Sequence, residues 1–568
     1  MIKIPYGISH LPTIVNEGYH FVDRTAFIEK MELSGEKTLI FLRPRRFGKS
    51  LFISTLAHYY GLEHREVFAQ MFGTYYIGQH PTPKVSSYLV LQLEFSRIDT
   101  ATAASTYDGF LKNVQVAIAH FLGTYSHLCT QEERKVILSQ PSPDAMLKEL
   151  LLAVSRTETK LCVLIDEYDH FANELLAFRF GDFQGMISRN GFVRKFYETL
   201  KTGVGQGLID RTFITGVSPI TLDSLTSGFN IGKNLSLDRG YYDMMGFHRH
   251  EVEEIITGVG AGPAELPAIM EDLQGWYNGY LFHPEAPHRL YNPDMVLYFA
   301  ADYGRHKRYP DIMLDTNIAS DYGKIRQILR IGGQEQQNLE MLDELITQGQ
   351  ISAQLTRMFN FEREFGRDDF ISLLYYLGLI TIGGTRYGDF LFEPPNSVIR
   401  ELYYDYFSQV IRERAGYPKE EVNIREQVYQ LAWHNDPAPL VEMVSETLRQ
   451  LSNRDWRKFD EKHIKAILIA LLHAARIYLI KSEYEASQGY VDILLLRRPP
   501  HTPPYLFAIE LKYLSREKET QLADITHEAR AQMMRYLHSD DTRALTNLKA
   551  WIFVFCGTEC RVMEEITY

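Results

Sequence analysis

The apolar run Thr38-Leu-Ile-Phe-Leu42 passes through Arg43-Pro-Arg-Arg-Phe-Gly-Lys-Ser50 directly into the helical pattern Leu51-Phe-Ile-Ser-Thr-Leu-Ala57. A buried strand that turns this abruptly into a helix aims free backbone N–H groups and the positive helix end at one point, where a polyphosphate can sit. The pattern predicts a nucleotide-phosphate loop. Lys49 is placed to reach the β- and γ-phosphates and the Ser50 hydroxyl to hold Mg²⁺, while Arg45, Arg46, Phe47 and Gly48 form the rest of the cradle. The common form of such a loop, GxxxxGK[ST], starts on glycine; here Arg43 stands in that place. An arginine removes the conformational freedom that makes the first turn easy.

A second segment completes the expectation. Leu161-Cys-Val-Leu-Ile-Asp-Glu-Tyr-Asp169 is an apolar run ending in carboxylates, as a buried parallel strand does at its functional end. Asp166 is predicted to enter the Mg²⁺ shell, and Glu167 to orient or deprotonate an attacking water. Strand-like runs also occur at 88–95 and 211–216, with amphipathic helical segments between them. That alternation implies an α/β fold: a P-loop-type parallel sheet with helices on both faces, and ligands beyond the carboxyl ends of its strands. Thr215 and Ser218 fall at such an end, where either can contact the γ-phosphate or the water.

Residues 240–400 read as mainly helical, a lid and connecting region with aromatic punctuation at Trp276-Tyr-Asn-Gly-Tyr280 and Tyr291-Asn-Pro293. The expected division is 1–237 for the ATPase domain, 238–415 for the helical lid and connecting domain, and 416–568 for a C-terminal α/β domain. A chain of 568 residues is too long for one core. The formal charge of −12 argues against a protein that coats nucleic acid indiscriminately, so any contact with DNA must be a local basic groove. Four scattered cysteines do not make a disulfide framework. With no run long enough to span a membrane and no signal-peptide pattern at the first residues, a cytoplasmic location is expected.

The C-terminal third carries a second constellation. Over 460–479, Glu461, Ile464, Leu468, Leu471 and Ala475 share one helical face, which puts a carboxylate on the side that should be buried. Tyr490-Val-Asp-Ile-Leu-Leu-Leu496 reads as a strand with Asp492 inside it, an unfavourable place for aspartate. In Tyr505-Leu-Phe-Ala-Ile-Glu-Leu-Lys-Tyr513, alternation puts Tyr505, Phe507, Ile509 and Leu511 on one face and Glu510 with Lys512 on the other. This set suits metal-dependent phosphodiester cleavage. Asp492 and Glu510 supply hard oxygen ligands for Mg²⁺ or Mn²⁺, Lys512 orients water or offsets charge, and Glu461 completes the shell or positions the water. Gln532 and Tyr536, at i and i+4 on a later helix, can touch the DNA backbone.

These segments together resemble a bacterial family that fuses a predicted AAA-type ATPase to a C-terminal PD-(D/E)XK nuclease domain. The resemblance is carried by Ile4-Pro-Tyr-Gly-Ile-Ser, Tyr19-His-Phe-Val-Asp-Arg-Thr25, Arg43 to Ser50, Leu164-Ile-Asp-Glu-Tyr-Asp169 and Thr215-Gly-Val-Ser-Pro219. It continues through Gly228-Phe-Asn230, Trp276 to Tyr280, Tyr291-Asn-Pro293, Asp492 and Glu510-Leu-Lys512. It implies ATP and a divalent ion as cofactors and DNA as substrate, and it makes Arg43 a family trait. Where the family usually reads Gly-Arg-Ala-Asp, this chain has Gly489-Tyr-Val-Asp492, without the arginine. Glu483 resembles the family's first acidic position as well as Glu461 does.

Overall fold

In the computed structural model the described residues are 1–96, 98–172, 191–220, 232–315, 328–329, 334–359, 365–415, 421–452, 460–486, 489–498, 501–539, 542 and 545–567. Of residues 407, 410–415, 421–423, 451–452, 483–486 and 489 only the backbone is described. The chain divides into two compact units. One comprises Met1–Pro310, Gln327–Glu335 and Ser352–Pro395, and the other Asp311–Arg326, Gln336–Ile351 and Asn396–Tyr568.

Each of the four apolar runs in the N-terminal part becomes a strand of the first unit: β1 (Thr38–Leu42), β2 (Leu89–Glu94), β3 (Leu161–Asp166) and β4 (Ile209–Gly216). With the short β5 (Lys233–Asn234) they form one sheet in the order β2-β3-β4-β1-β5. Every pairing in it is parallel. β1 and β3 are buried along their whole length, as strands covered on both faces must be, which is why their sequences are unbroken apolar runs. Since β4 lies between β1 and β3, the phosphate loop and the acidic strand end meet across one intervening strand. Both stand at the carboxyl edge of the sheet, where parallel sheets place their ligands.

In the same unit the region read as mainly helical also contains a hairpin, Thr381–Arg386 paired antiparallel with Asp389–Glu393. Its two-residue turn is Tyr387-Gly388, at φ 53° and 93°. Both central residues are left-handed, as the tightest hairpin turn requires, and tyrosine in place of the usual Asn or Asp hides the signal in the sequence.

The second unit is built on a five-stranded mixed sheet. In spatial order its strands are Glu559–Ile566, Leu548–Cys556, Leu506–Leu514, Gly489–Arg497 and Tyr478–Ala486. Only Leu506–Leu514 and Leu548–Cys556 run parallel, and the helix Leu522–Leu537 makes the crossover that a parallel pair needs. That helix buries Ala529, Met533, Tyr536 and Leu537 against Val491, Leu494, Ala508, Ala550 and Ile552. Among the described residues, no helix is long and apolar enough to cross a membrane.

Candidate functional site

The loop after β1 owes its shape to two left-handed residues, Arg46 at φ 68° and Gly48 at φ 95°, and not to Arg43. No glycine is required at position 43, which removes the objection raised by the missing first glycine. Arg43 is instead a clamp. Its buried guanidinium donates to the carbonyls of Leu42 (2.9 Å), Ser236 (2.7 Å), Tyr241 (3.2 Å) and Tyr242 (3.1 Å). It lies over the rings of Phe41 and Phe282, 4.2 and 4.0 Å from their centres. Burial pushes it down to about 9, so it is still a cation at neutral pH. Phe47 anchors the other limb of the loop, buried edge-on against Tyr280 and Phe282 at 5.0 and 5.4 Å. The aromatic punctuation of the lid region thus holds the loop from below.

Gly48 caps the helix Lys49–Tyr60, whose first turn carries Lys49 and Ser50. Lys49 is buried, and its ammonium donates back to the carbonyls of Arg43 (3.0 Å) and Pro44 (2.9 Å). Burial lowers its pKa, outweighing the attraction of Asp166, Glu167 and Asp169. Arg45 is half-buried, while Arg46 is exposed at the loop's tip, 3.6 Å from Asp294. Asp294 opens the helix Pro293–His306, which is capped by Asn292 accepting from the Asp294 and Met295 N–H groups. The Tyr291-Asn-Pro293 motif therefore presents a carboxylate to the loop.

Asp166 ends β3 and accepts from Thr215 Oγ1 at 2.5 Å, from the Glu167 N–H at 3.0 Å, and from the Ser50 hydroxyl. Burial raises its pKa, and those hydrogen bonds with Lys49 offset only part of the rise. Glu167 turns out of the strand at φ 51°, a conformation uncommon outside glycine that tends to collect at working sites. Burial pushes its carboxyl up, but His170, at 3.3 Å, with Lys49 and Arg45 brings it below the ordinary range. Asp169, next in line, is buried and holds the end of β4: it accepts from the N–H groups of Val217 (3.0 Å) and Ser218 (2.7 Å) and from Ser218 Oγ (2.9 Å). A Cβ on Gly216 would lie 2.3 Å from Asp169 Oδ1 and 2.4 Å from Tyr168 Cδ1, so this close approach demands glycine. Ser218 thus serves Asp169, whereas Thr215 faces Asp166.

In the second unit, antiparallel pairing sets Ile493 opposite Ile509, and one residue further along Asp492 comes level with Glu510. Asp492 Oδ2 accepts the Leu511 N–H at 2.7 Å, and Lys512 Nζ stands 2.8 Å from Glu510 Oε1. Glu510 is wholly buried, and among the described residues neither of its oxygens has a well-directed hydrogen bond. Burial, then the neighbouring Asp492, pushes it up to about 8. For Lys512 burial lowers the pKa, but Glu510, Glu461 and Asp492 outweigh it and the net shift is upward. Two carboxylates side by side in a buried site are costly with Lys512 as their near cation, and hard oxygen donors suit Mg²⁺ or Mn²⁺, so the residues present fit a divalent ion.

Glu461 differs from the expectation of a buried carboxylate. It is the first residue of the helix Glu461–Ala475, beyond the apolar layer, with its side chain 40% exposed and 3.8 Å from Lys512. The Glu483 side chain lies outside the described residues. Tyr536 is fully buried in the core beneath Leu522–Leu537, and Gln532 on the same helix is half-buried. A residue the sequence reading passed over joins the site: Lys465, buried, with Nζ 3.6 Å from Asp492 Oδ1 and donating to the Thr347 carbonyl at 3.2 Å. Its signal was a lone lysine inside Ile464-Lys-Ala-Ile-Leu-Ile-Ala-Leu-Leu472, one turn after Glu461. Among the described residues no three His, Cys, Asp or Glu side chains gather as a metal cage. Waters and substrate oxygens must complete any Mg²⁺ shell, as is usual for that ion.

A parallel sheet with a phosphate loop and an acidic strand end across from it, joined in one chain to a mixed sheet carrying Asp492, Glu510 and Lys512, defines an ATPase-type protein with a nuclease-type domain. Residues 5–226 match the family described as predicted AAA-ATPase, and residues 459–565 match the PD-(D/E)XK nuclease superfamily. Both domains of such a fusion are thus matched, in that order, within one chain. Among curated proteins it is 29% identical over 310 residues to the "Uncharacterized protein in vnfD 5′ region" of Azotobacter chroococcum mcd 1. The match covers 52% of each, so the chain spans about half the length of that relative. Among solved structures, the Orc1 protein of Aeropyrum pernix, in complex with DNA, is 12% identical with a TM-score of 0.26, over 70% of this chain and 89% of that one. At that score the likeness carries no argument.

Proposed function

We propose that this protein binds and hydrolyses ATP in its N-terminal domain and cuts DNA in a metal-dependent reaction in its C-terminal domain. The observation that carries the reading is the wholly buried Glu510, placed level with Asp492 and balanced, among the described residues, by a single ammonium, Lys512, 2.8 Å from its Oε1. A stable core does not keep such a group without a use for its charge.

At the first site Lys49 leaves the carbonyls of Arg43 and Pro44 to meet the β- and γ-phosphates, and Arg45 and Arg46 add positive charge along the loop. Ser50 and Asp166, already hydrogen-bonded to each other, are the residues to hold Mg²⁺. Glu167, ionised at neutral pH, orients the attacking water and takes its proton, while Thr215 fixes the rotamer of Asp166. At the second site Asp492 and Glu510 are the ligands for Mg²⁺ or Mn²⁺. A bound divalent ion supplies Lewis acidity at the phosphodiester and an activated water there. Lys512 offsets the charge that builds on the phosphate, and Glu461 positions the water at the exposed rim. Gln532 reaches the DNA backbone from its half-buried place.

Purified protein incubated with linear, circular and single-stranded DNA, with Mg²⁺ or Mn²⁺ and with or without ATP, tests the whole reading. Metal-dependent cutting lost in Asp492→Asn supports it. A second reading, a nucleotide switch whose C-terminal domain binds DNA or a partner without cutting, draws support from Glu461, which lies 40% exposed and leaves Asp492 and Glu510 as the buried carboxylates of the site among the described residues. ATP hydrolysis with no cutting of any DNA form would favour it.

A further inference from the structure

Lys465 is an unusual residue to find where it is. Its side chain is 3% exposed, in a helix that is otherwise apolar for two turns, and it comes within 3.6 Å of Asp492, while Lys512 stands 2.8 Å from Glu510. A buried ammonium costs several kcal/mol unless oxygens replace its water. Two of the oxygens facing it are Asp492 Oδ1 at 3.6 Å and the Thr347 carbonyl at 3.2 Å. Thr347 lies in the last turn of the helix Glu335–Gln348, so its carbonyl has no partner further along that helix and carries the negative end of the helix dipole. Ser482 Oγ also donates to it, at 3.4 Å. A carboxylate oxygen and a fixed backbone carbonyl are the ligands a second hard cation would use.

Charge points the same way. Among the described residues, the carboxylates Glu461, Asp492 and Glu510 face two ammonium groups, Lys465 and Lys512, leaving one negative charge in excess once a bound cation displaces the proton of Glu510. One divalent ion reverses that excess and still leaves the site attractive to a phosphodiester. A second would add two more positive charges beside two buried lysines, against repulsion that the low local dielectric magnifies.

We propose that Lys465 is a positioning residue that takes the place of a second metal ion, so that the C-terminal site holds a single divalent cation. The inference rests on the nuclease reading of Asp492 and Glu510 and names the stoichiometry of that same site. Lys465 faces Asp492 Oδ1 at 3.6 Å, while Oδ2 accepts the Leu511 N–H, so each oxygen of the carboxylate has its own partner.

The test counts Mn²⁺ bound per chain, with nucleotide absent, from the electron paramagnetic resonance signal of the free ion. Ions of the C-terminal site are those lost in Asp492→Asn. One ion in the wild type, one in Lys465→Arg and two in Lys465→Met is the expected result, and a merely structural lysine would not raise the count. Two ions in the wild type, or one in a folded Lys465→Met, overturns the proposal while leaving the nuclease reading in place. No ion lost in Asp492→Asn overturns both. Should Lys465→Met fail to fold, the wild-type count decides: one ion supports the proposal, and two defeat it.

Discussion

Replacing Arg43 by glycine restores the residue with which phosphate loops usually begin, and the structure predicts that this harms the protein. The guanidinium donates to three carbonyls of the 236–242 segment, and Arg43→Gly leaves all three without that donor. A buried acceptor deprived of its partner costs roughly 1–3 kcal/mol. Water entering the vacated space relieves part of this, so about 1 kcal/mol for each carbonyl is a fair value. Loss of the cation between Phe41 and Phe282 adds about 0.5–1 kcal/mol. Glycine's extra backbone freedom adds about 0.5–1 kcal/mol more. Against these stands the desolvation cost of the guanidinium, which the mutant escapes. The losses come to about 4–5 kcal/mol and the relief returns on the order of 2, so a net loss of about 2–3 kcal/mol follows, or roughly 5 °C in the melting of the ATPase domain at about 2 °C per kcal/mol. Scanning calorimetry measures it, with the relevant transition identified as the one that ATP moves upward. Arg43→Lys, a single-point donor, should fall between the two. An Arg43→Gly protein that melts with the wild type and binds ATP more tightly would refute the clamp.

Lys49→Ala should weaken ATP binding by roughly 100-fold, the loss of one charge-assisted phosphate contact, as read by fluorescent-nucleotide titration. Glu167→Gln should bind ATP normally but hydrolyse it at least about 100-fold more slowly in a phosphate-release assay. Asp492→Asn and Lys512→Ala should each abolish DNA cutting in a gel assay while ATP turnover stays within about twofold, because the residues belong to separate domains. Glu510 binds a proton in the folded protein up to about pH 8 but, when unfolded, only up to the ordinary glutamate value of 4.5. The native state then holds more protons than the unfolded chain across that window, and metal-free stability falls as pH rises through it. Melting of the C-terminal domain should drop between pH 5.5 and about 8 without metal, and Mg²⁺ should restore it; equal melting at both ends would refute the shift.

Much of this was legible in the chain because it is local. Four strand-like runs separated by amphipathic helical segments point to parallel pairing, so the first sheet could be read directly from 38–42, 88–95, 161–165 and 211–216. Strand alternation likewise sent Glu510 and Lys512 to one side, where they meet at 2.8 Å. Contacts between residues far apart in sequence carry no such period. Insertion of β4 between β1 and β3 is what turns Thr215 toward Asp166 and Ser218 toward Asp169. The resemblance made Arg43 a family trait, but what it does there is set by carbonyl partners nearly two hundred residues on. Tyr536 shared a helical face with Gln532 in the sequence, but a period cannot say which way that face turns, and the sheet took the tyrosine into its core. Lys465 was invisible for a related reason. A lysine in an apolar helix is only a misfit until a helix end more than a hundred residues earlier supplies the carbonyl that makes its burial tolerable.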